Sequence, residues 1–246
     1  MSRPSRAAPA SPSSPDGPVV RGLLLVEKPP GVTSHDVVNV VRRKLGLRRI
    51  GHTGTLDPLA QGLLILLVGS ATRSQQDFQN HEKVYEAVLQ LGTRTDTGDA
   101  DGAPVATAPV PVLVRDAVAE ILASFRGPLS QTPPAYSAVK VRGRPAYWWA
   151  RRGHPVAVPS RTVQVAEIGL VECREASIAF RVRCSAGTYI RTLGEAIAER
   201  LGTVGHLTSL VRLRIGAWSL EHAKPLSWIR AASPEAVARE LKPLDP

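Results

Sequence analysis

The chain has 246 residues, enough for one large domain or two small ones around a buried core. Its 31 lysines and arginines against 21 acidic residues leave a formal charge of +10, which points to a polyanionic partner, nucleic acid first, ahead of a merely soluble basic surface. The longest apolar runs, residues 22–26 and 63–68, are too short to cross a bilayer. The 2 cysteines lack metal-type spacing and make no disulfide framework, which fits a reducing cytoplasm.

Residues 1–20 are rich in Ser, Pro, Ala and Arg and read as a disordered basic tail. They lack the apolar core of a secretory signal, and an Arg/Ser-rich transit peptide fits them less well. Residues 22–26 read as a first strand ending in the rigid turn Glu27-Lys28-Pro29-Pro30-Gly31. Thr33 or Ser34 can cap a helix in which Val37, Val38, Val41 and Leu45 keep helical spacing. Arg42, Arg43, Lys44, Arg48 and Arg49 follow at its end. Cations suit a helix C-terminus, and their density fits a phosphate-binding patch equally well.

Residues 51–62 read Gly51-His52-Thr53-Gly54-Thr55-Leu56-Asp57-Pro58-Leu59-Ala60-Gln61-Gly62. The glycines permit backbone angles that other residues avoid, while Pro58 fixes its own φ and pushes Asp57 out of the helical region. The apolar run 63–68, bounded by Gly62 and Gly69, suits a buried strand. A stiff loop against the core would hold its imidazole, hydroxyls and carboxylate as a reactive site requires. Yet Asp57-Pro58 is also a good helix start, and His52 alone is accounted for as a turn or core histidine.

Residues 70–79 read as a short helix. The strand Lys83–Leu91 puts Tyr85, Ala87, Leu89 and Leu91 on one face, so core packing alone accounts for Tyr85. Residues 93–102 carry Asp96, Asp99 and Asp101 but lack the terminal acidic residue of a calcium loop, and no metal site is expected. Residues 114–125 form an amphipathic helix. Residues 130–161 differ in character, with Tyr136, Lys140, Arg142 and Arg144 before a helix expected from Pro145 to Gly153. Tyr147, Trp148, Trp149, Arg151 and Arg152 interleave aromatic and basic groups as an RNA-contacting surface does; a single anchoring tryptophan with solvated arginines is the alternative.

Residues 163–171 and 178–184 pair as antiparallel strands, with Arg181 and Arg183 opposite an apolar face. Thr188 then reads as the N-cap of a helix carrying Leu193, Ile197 and Leu201. Arg191 falls in its first turn, where a cation opposes the helix dipole and calls for a facing anion. Residues 207–215 supply a last strand, and 219–244 supply short closing elements.

Taken together, five stretches resemble the tRNA pseudouridine(55) synthase family, in that family's order, over residues 22 to about 218. They are residues 22–31; Gly51-His52-Thr53-Gly54-Thr55-Leu56-Asp57-Pro58-Leu59-Ala60; Lys83-Val84-Tyr85; residues 94–102; and Gly187-Thr188-Tyr189-Ile190-Arg191-Thr192. The resemblance implies an α+β pseudouridine-synthase fold, a long, mostly antiparallel mixed sheet flanked by helices with an RNA-clamping insertion. Residues 21–218 would be the catalytic domain, with the insertion at about 130–161. Asp57 would be the catalytic aspartate, Arg191 its ion-pair partner and Tyr85 the stacking platform for the target base. Tyr189, Lys28 and Leu210 would line the pocket, and His52 would support the loop distorted by base flipping. Arg42, Arg43, Lys44, Arg142, Arg144, Arg151 and Arg152 would meet the RNA backbone.

Two departures stand out: Glu27 where aspartate is usual, and a chain that stops at Pro246 where relatives continue into a small C-terminal RNA-binding domain. Residues 219–246 are therefore expected only to close the catalytic domain. The resemblance further implies a cytoplasmic monomer that acts on the tRNA T arm without cofactor, membrane or obligatory protein partner. A bidentate Arg191 guanidinium is expected to hold Asp57 ionised, with its pKa lowered. A silent RNA-binding protein on the same scaffold and a guide-RNA-dependent synthase are the rival readings.

Overall fold

The computed structural model describes residues 21–154 and 156–244, so the expected basic tail lies outside the described residues. Strand β1 (Gly22–Lys28) leads to helix α1 (Ser34–Leu45), then β2 (Ile50–His52) and β3 (Gln61–Val68). A 3-10 turn, Gly69–Ser74, precedes α2 (Gln75–Asn80) and β4 (Lys83–Leu91), so the single helix expected at 70–79 is split. The hairpin β5 (Thr93–Thr95) and β6 (Pro104–Thr107) is followed by α3 (Arg115–Ala123) and β7 (Gly127–Gln131). A small excursion holds β8 (Lys140–Val141), β9 (Arg144–Pro145) and α4 (Ala146–Ala150), shorter than the helix expected from Pro145 to Gly153. Next come β10 (Arg161–Cys173), β11 (Ser177–Cys184), α5 (Ile190–Arg200) and β12 (Gly205–Ile215). The chain closes with β13 (Trp218–Ser219), β14 (Lys224–Pro225), α6 (Leu226–Ala231) and α7 (Pro234–Arg239).

One 10-stranded sheet runs in the order β14-β1-β3-β12-β4-β11-β10-β7, with β13 added to β12 and β2 to β3. Among the described residues, only the β1–β14 and β12–β3 strand pairs are parallel. The long, mostly antiparallel mixed sheet with flanking helices is the architecture expected of the resemblance. No helix among the described residues is long and apolar enough to cross a membrane.

Burial explains the two kinds of strand sequence. Leu23 to Val26 of β1 and Leu63 to Val68 of β3 are continuously apolar because both faces are covered there, as a sandwiched strand requires. Leu24, Val26, Leu64 and Leu66 pack with Val37 and Val41 of α1 and with Ile229 and Val237 of α6 and α7. Leu23, Leu25, Leu63 and Ile65 pack on the other side against Phe78 and Trp218. Strands β4 and β11 alternate instead, since α3 and α5 cover one face only: Ala87, Leu89, Phe180 and Val182 meet Leu122, Leu193 and Ile197. On the opposite face Arg183 bridges Glu82 at 2.8 Å and Glu167 at 2.7 Å, and Arg181 meets Glu86 at 2.8 Å. Such solvated pairs contribute little to stability.

Thr33 caps α1 in a full capping box with Asp36. Ser34, the other expected cap, is buried and serves a different element, the loop between β2 and β3. That loop and the start of α5 converge on the covered face of the sheet.

Candidate active site

The loop carrying Asp57 is built by clamps on its main chain. Ser34 Oγ donates to Leu56 O at 3.1 Å and accepts from Leu56 N–H at 2.8 Å. Lys28 Nζ donates to Val32 O at 2.6 Å, Pro29 O at 3.0 Å and Pro58 O at 3.3 Å, joining the two proline turns. Gly31 N–H donates to Pro58 O at 2.8 Å. From across the sheet Arg212, 1% exposed, donates from Nε to Leu63 O at 2.8 Å and through its two terminal nitrogens to Gly54 O at 3.1 Å and Thr55 O at 3.4 Å. Of the three glycines in the stretch only Gly62 needs its freedom: its φ is +106°, and a Cβ there would collide with the Arg212 main chain where β3 meets β12. Gly51 and Gly54 adopt negative φ.

Asp57 Oδ2 lies 3.0 Å from Arg191 Nε. The ion pair expected from the dipole argument is present, but its geometry differs. Only Nε faces Asp57, while the terminal nitrogens donate to Thr97 O at 2.6 Å and Tyr136 O at 2.8 Å. The same Nε is 3.6 Å from a second carboxylate, buried Asp99 Oδ2. Arg191 is thus fixed by three elements. The helix N-cap is Tyr189 without a side-chain bond, not Thr188, whose hydroxyl donates to Ser185 O at 2.9 Å.

The expected lowering of the Asp57 pKa is overturned: it is raised above the ordinary aspartate value of 3.8. Desolvation by the surrounding protein is the largest cause. Arg191 opposes it, and Asp99 adds like-charge repulsion. The side chain still reaches the cleft, 36% exposed against 5% for Arg191. A carboxylate paired with a single guanidinium nitrogen and still partly exposed at the cleft is placed to react.

That cleft, about 520 Å³, is lined by Asp57, Tyr85, Tyr189, Arg191 and Leu210 among others. Tyr85 sits on β4 opposite Arg212 and Val182, on the covered face, and desolvation raises its pKa, so the phenol stays protonated. Gln131 at the end of β7 holds the Tyr189 main chain at both groups, accepting from its N–H at 3.0 Å and donating to its carbonyl at 3.3 Å. Arg161 stacks 4.9 Å from the Tyr189 ring centroid and donates to Gly187 O. An apolar floor, two tyrosine faces and one ionisable carboxylate define a pocket for a planar base carried on a polyanion.

Residues 42–190 match the TruB family pseudouridylate synthase (N terminal domain). Over 245 residues the chain is 42% identical to the tRNA pseudouridine synthase B of Burkholderia lata, covering 100% of this chain and 76% of that protein. The chain belongs to the TruB family of pseudouridylate synthases. A second relative, the tRNA pseudouridine synthase B of Aromatoleum aromaticum, is 44% identical over 227 residues, covering 92% of this chain and 73% of its own length. Among solved structures, a chain of a Cbf5-Nop10-Gar1 complex superposes with a TM-score of 0.68 at 30% identity, over 90% of this chain and 60% of that one. A chain of an H/ACA RNP bound to a substrate RNA containing 2'-deoxyuridine gives 0.64 at 26% identity, over 90% and 62%. Like the rest of the TruB family, the chain is an isomerase.

Against that family frame the sequence-named residues fall into three groups. Asp57, Tyr85, Tyr189, Arg191 and Leu210 meet in the cleft. Lys28 is a correction: it lies beneath the loop, buried among carbonyls, rather than in the cleft wall. His52 ends β2, paired with Leu66, and is not a loop residue. Desolvation and Arg212 depress its pKa, so it is neutral at pH 7.

Two of the expected phosphate contacts are also corrected. Arg42 donates to Ile50 O at 2.8 Å, and Lys44 donates to Arg230 O at 2.9 Å and Ala232 O at 2.8 Å, so both hold protein carbonyls. Arg43 is exposed beside them. In the excursion Arg142, Arg144, Arg151 and Arg152 are exposed; Arg152 and Arg144 stack on Trp148 at 3.7 Å and 5.4 Å, while Trp149 Nε1 donates to Val141 O at 3.2 Å and so ties α4 to β8 within the excursion.

Four residues of the site carry no role in the sequence analysis: Arg161, Arg212, Asp99 and Gln131. Arg212 had a signal, because it stands two residues from Leu210 on the same strand and so shares its face. Asp99 lies in the resembling stretch 94–102 without a role of its own, and neither Arg161 nor Gln131 carries a local signal.

Proposed function

We propose that this chain isomerises uridine to pseudouridine at position 55 in the T loop of tRNA, with Asp57 as the nucleophile acting on an extruded base. The observation that carries this reading is the Asp57 carboxylate held 3.0 Å from Arg191 at a cleft walled by Tyr85, Tyr189 and Leu210. The relatives' name, tRNA pseudouridine synthase B, supports the choice of RNA. So does the +10 charge.

In this reaction the N1–C1′ bond breaks and a C5–C1′ bond forms; C5 loses its proton and N1 gains one. Ionised Asp57 attacks C6 or C1′, which opens the glycosidic bond while the base stays in the pocket. Tyr85 and Leu210 hold the detached ring as it turns, and Tyr189 closes one side. Arg191 keeps the attacking oxygen aimed; Lys28, Ser34 and Arg212 keep the loop under it rigid, so little reorganisation accompanies reaction. His52 supports the loop from which the base leaves, and Arg43, Arg142, Arg144, Arg151 and Arg152 meet phosphates. No cofactor or protein partner enters, and the enzyme acts as a cytoplasmic monomer.

The test is incubation with unmodified tRNA followed by site-resolved mapping of pseudouridine. A single modified site in the T loop, absent with Asp57→Asn, is expected; modification elsewhere only, or none, sinks the reading.

A further inference from the structure

The cleft has a wall that the reaction leaves idle. It is α2, whose Gln76, Gln79 and Asn80 line the cavity alongside the reacting residues. Their spacing, i, i+3 and i+4, places all three amides on one helix face. Phe78, on the other side, is buried at 5% exposure and meets the His81 ring edge-on at 5.5 Å. Lys83, buried two residues before Tyr85, donates to Gln79 O and to His81 O at 2.6 Å, which ties the end of α2 to the strand bearing the base platform. Gln76 Nε2 donates to Asn80 Oδ1 at 3.2 Å, so those two amides are already oriented.

Neutral amides are the wrong groups for phosphate, which draws lysine and arginine in a protein of charge +10. They suit a base edge: each amide offers donor and acceptor together, the pattern by which unstacked bases are read in single-stranded RNA. The cavity of about 520 Å³ is also larger than one pyrimidine ring fills. We propose that Gln76, Gln79 and Asn80 form a second base pocket in this cleft, reading the edge of a nucleotide that adjoins the target uridine. This rests on the RNA-modifying reading above and adds its sequence filter.

The experiment uses RNA hairpins that share one target uridine while each flanking nucleotide is varied through all four bases. kcat/KM is measured for the wild type, for Gln79→Glu, and for the Gln76→Ala/Gln79→Ala/Asn80→Ala triple variant. The wild type is expected to prefer one neighbour by about tenfold to a hundredfold, as amide–base pairs discriminate. The triple variant should compress that ratio to within about threefold, mostly by slowing on the preferred RNA. Gln79→Glu keeps the shape but removes the donors, so it should change which neighbour is preferred. This single, surface-facing change decides the matter even where the triple variant folds poorly. Wild-type ratios retained by Gln79→Glu, or a wild type indifferent to both neighbours, overturn the second pocket while leaving pseudouridine formation intact. No pseudouridine on any hairpin would overturn the functional reading as well.

Discussion

Arginine does opposite work in two regions of this molecule. At the loop bearing Asp57, Arg191 and Arg212 are 5% and 1% exposed, and their nitrogens are committed to carbonyls and to Asp57. In the excursion between β7 and β10, Arg142, Arg144, Arg151 and Arg152 are exposed, and three of them lie over aromatic rings. The buried pair is valued for the fixed fork of its donors, which sets geometry. The exposed set, on the function proposed above, supplies charge that reaches a polyanion through water. Substitutions that preserve charge but not shape should therefore injure the first region and spare the second.

The largest effect tests the group that the buried arginines serve. Asp57→Asn should lower turnover by at least about a thousandfold while tRNA affinity stays within a few fold, since the shape is kept and the nucleophile is lost. Measurable turnover by a homogeneous sample would remove Asp57 from the chemistry.

Next come the charge-preserving changes. Arg191→Lys and Arg212→Lys should each reduce kcat by about a hundredfold, because a point ammonium cannot span the partners that a fork reaches and the loop shifts by a fraction of an ångström. The same exchange at Arg144 and Arg151 should leave kcat unchanged. Equal losses in both regions would dissolve the contrast.

A smaller effect is expected when Arg142, Arg144, Arg151 and Arg152 are neutralised together. The slope of log affinity against log salt should flatten by about 3, from four contacts at roughly 0.7–0.9 each. Single-turnover rates at saturating enzyme should hardly move; a fall in rate as large as the fall in affinity would place this region in the chemistry.

The smallest effect concerns pH. The folded state raises the Asp57 pKa, so it binds that proton more tightly than the unfolded chain does. Ionisation of Asp57 therefore weakens the fold above the folded pKa, and the penalty vanishes as pH falls below the ordinary value near 4. Asp57→Asn, permanently neutral, should melt higher than the wild type at pH 7, with the gap closing by about pH 4. The acid limb of kcat/KM should likewise lie above the range of an ordinary aspartate. A lower melting temperature for Asp57→Asn at pH 7 would mean that Arg191 outweighs burial.

Much of the site was legible because local chemistry announced it. Asp57 stands in a stretch dense in glycine and proline, and Arg191 stands at a helix start where only a facing anion makes sense of it. The alternation of Tyr85, Ala87, Leu89 and Leu91 puts all four on one face of the strand, and all four lie in or against that core cluster. What stayed hidden depends on contacts between distant residues. Arg42 and Lys44 look like free cations in the sequence, and only the arrival of β2 and α6 turns them into donors to carbonyls. Gln131 has no pattern of its own; it matters because β7 ends where the Tyr189 main chain passes. The depressed pKa expected for Asp57 followed the ion pair and neglected the walls around it, which weigh more.

Arg212 also times the making of the enzyme. Its bond to Gly54 O spans 158 residues, so the turn bearing Asp57 leaves the ribosome long before the side chain that holds it. Loops of that length close slowly, and until β12 docks the carbonyls of Gly54 and Thr55 face water. A nascent chain can fold α1 against β1 and β3 early, since those contacts are local, yet it has no aimed carboxylate. Competence to modify RNA therefore arrives in one late step, when β12 docks beside β3.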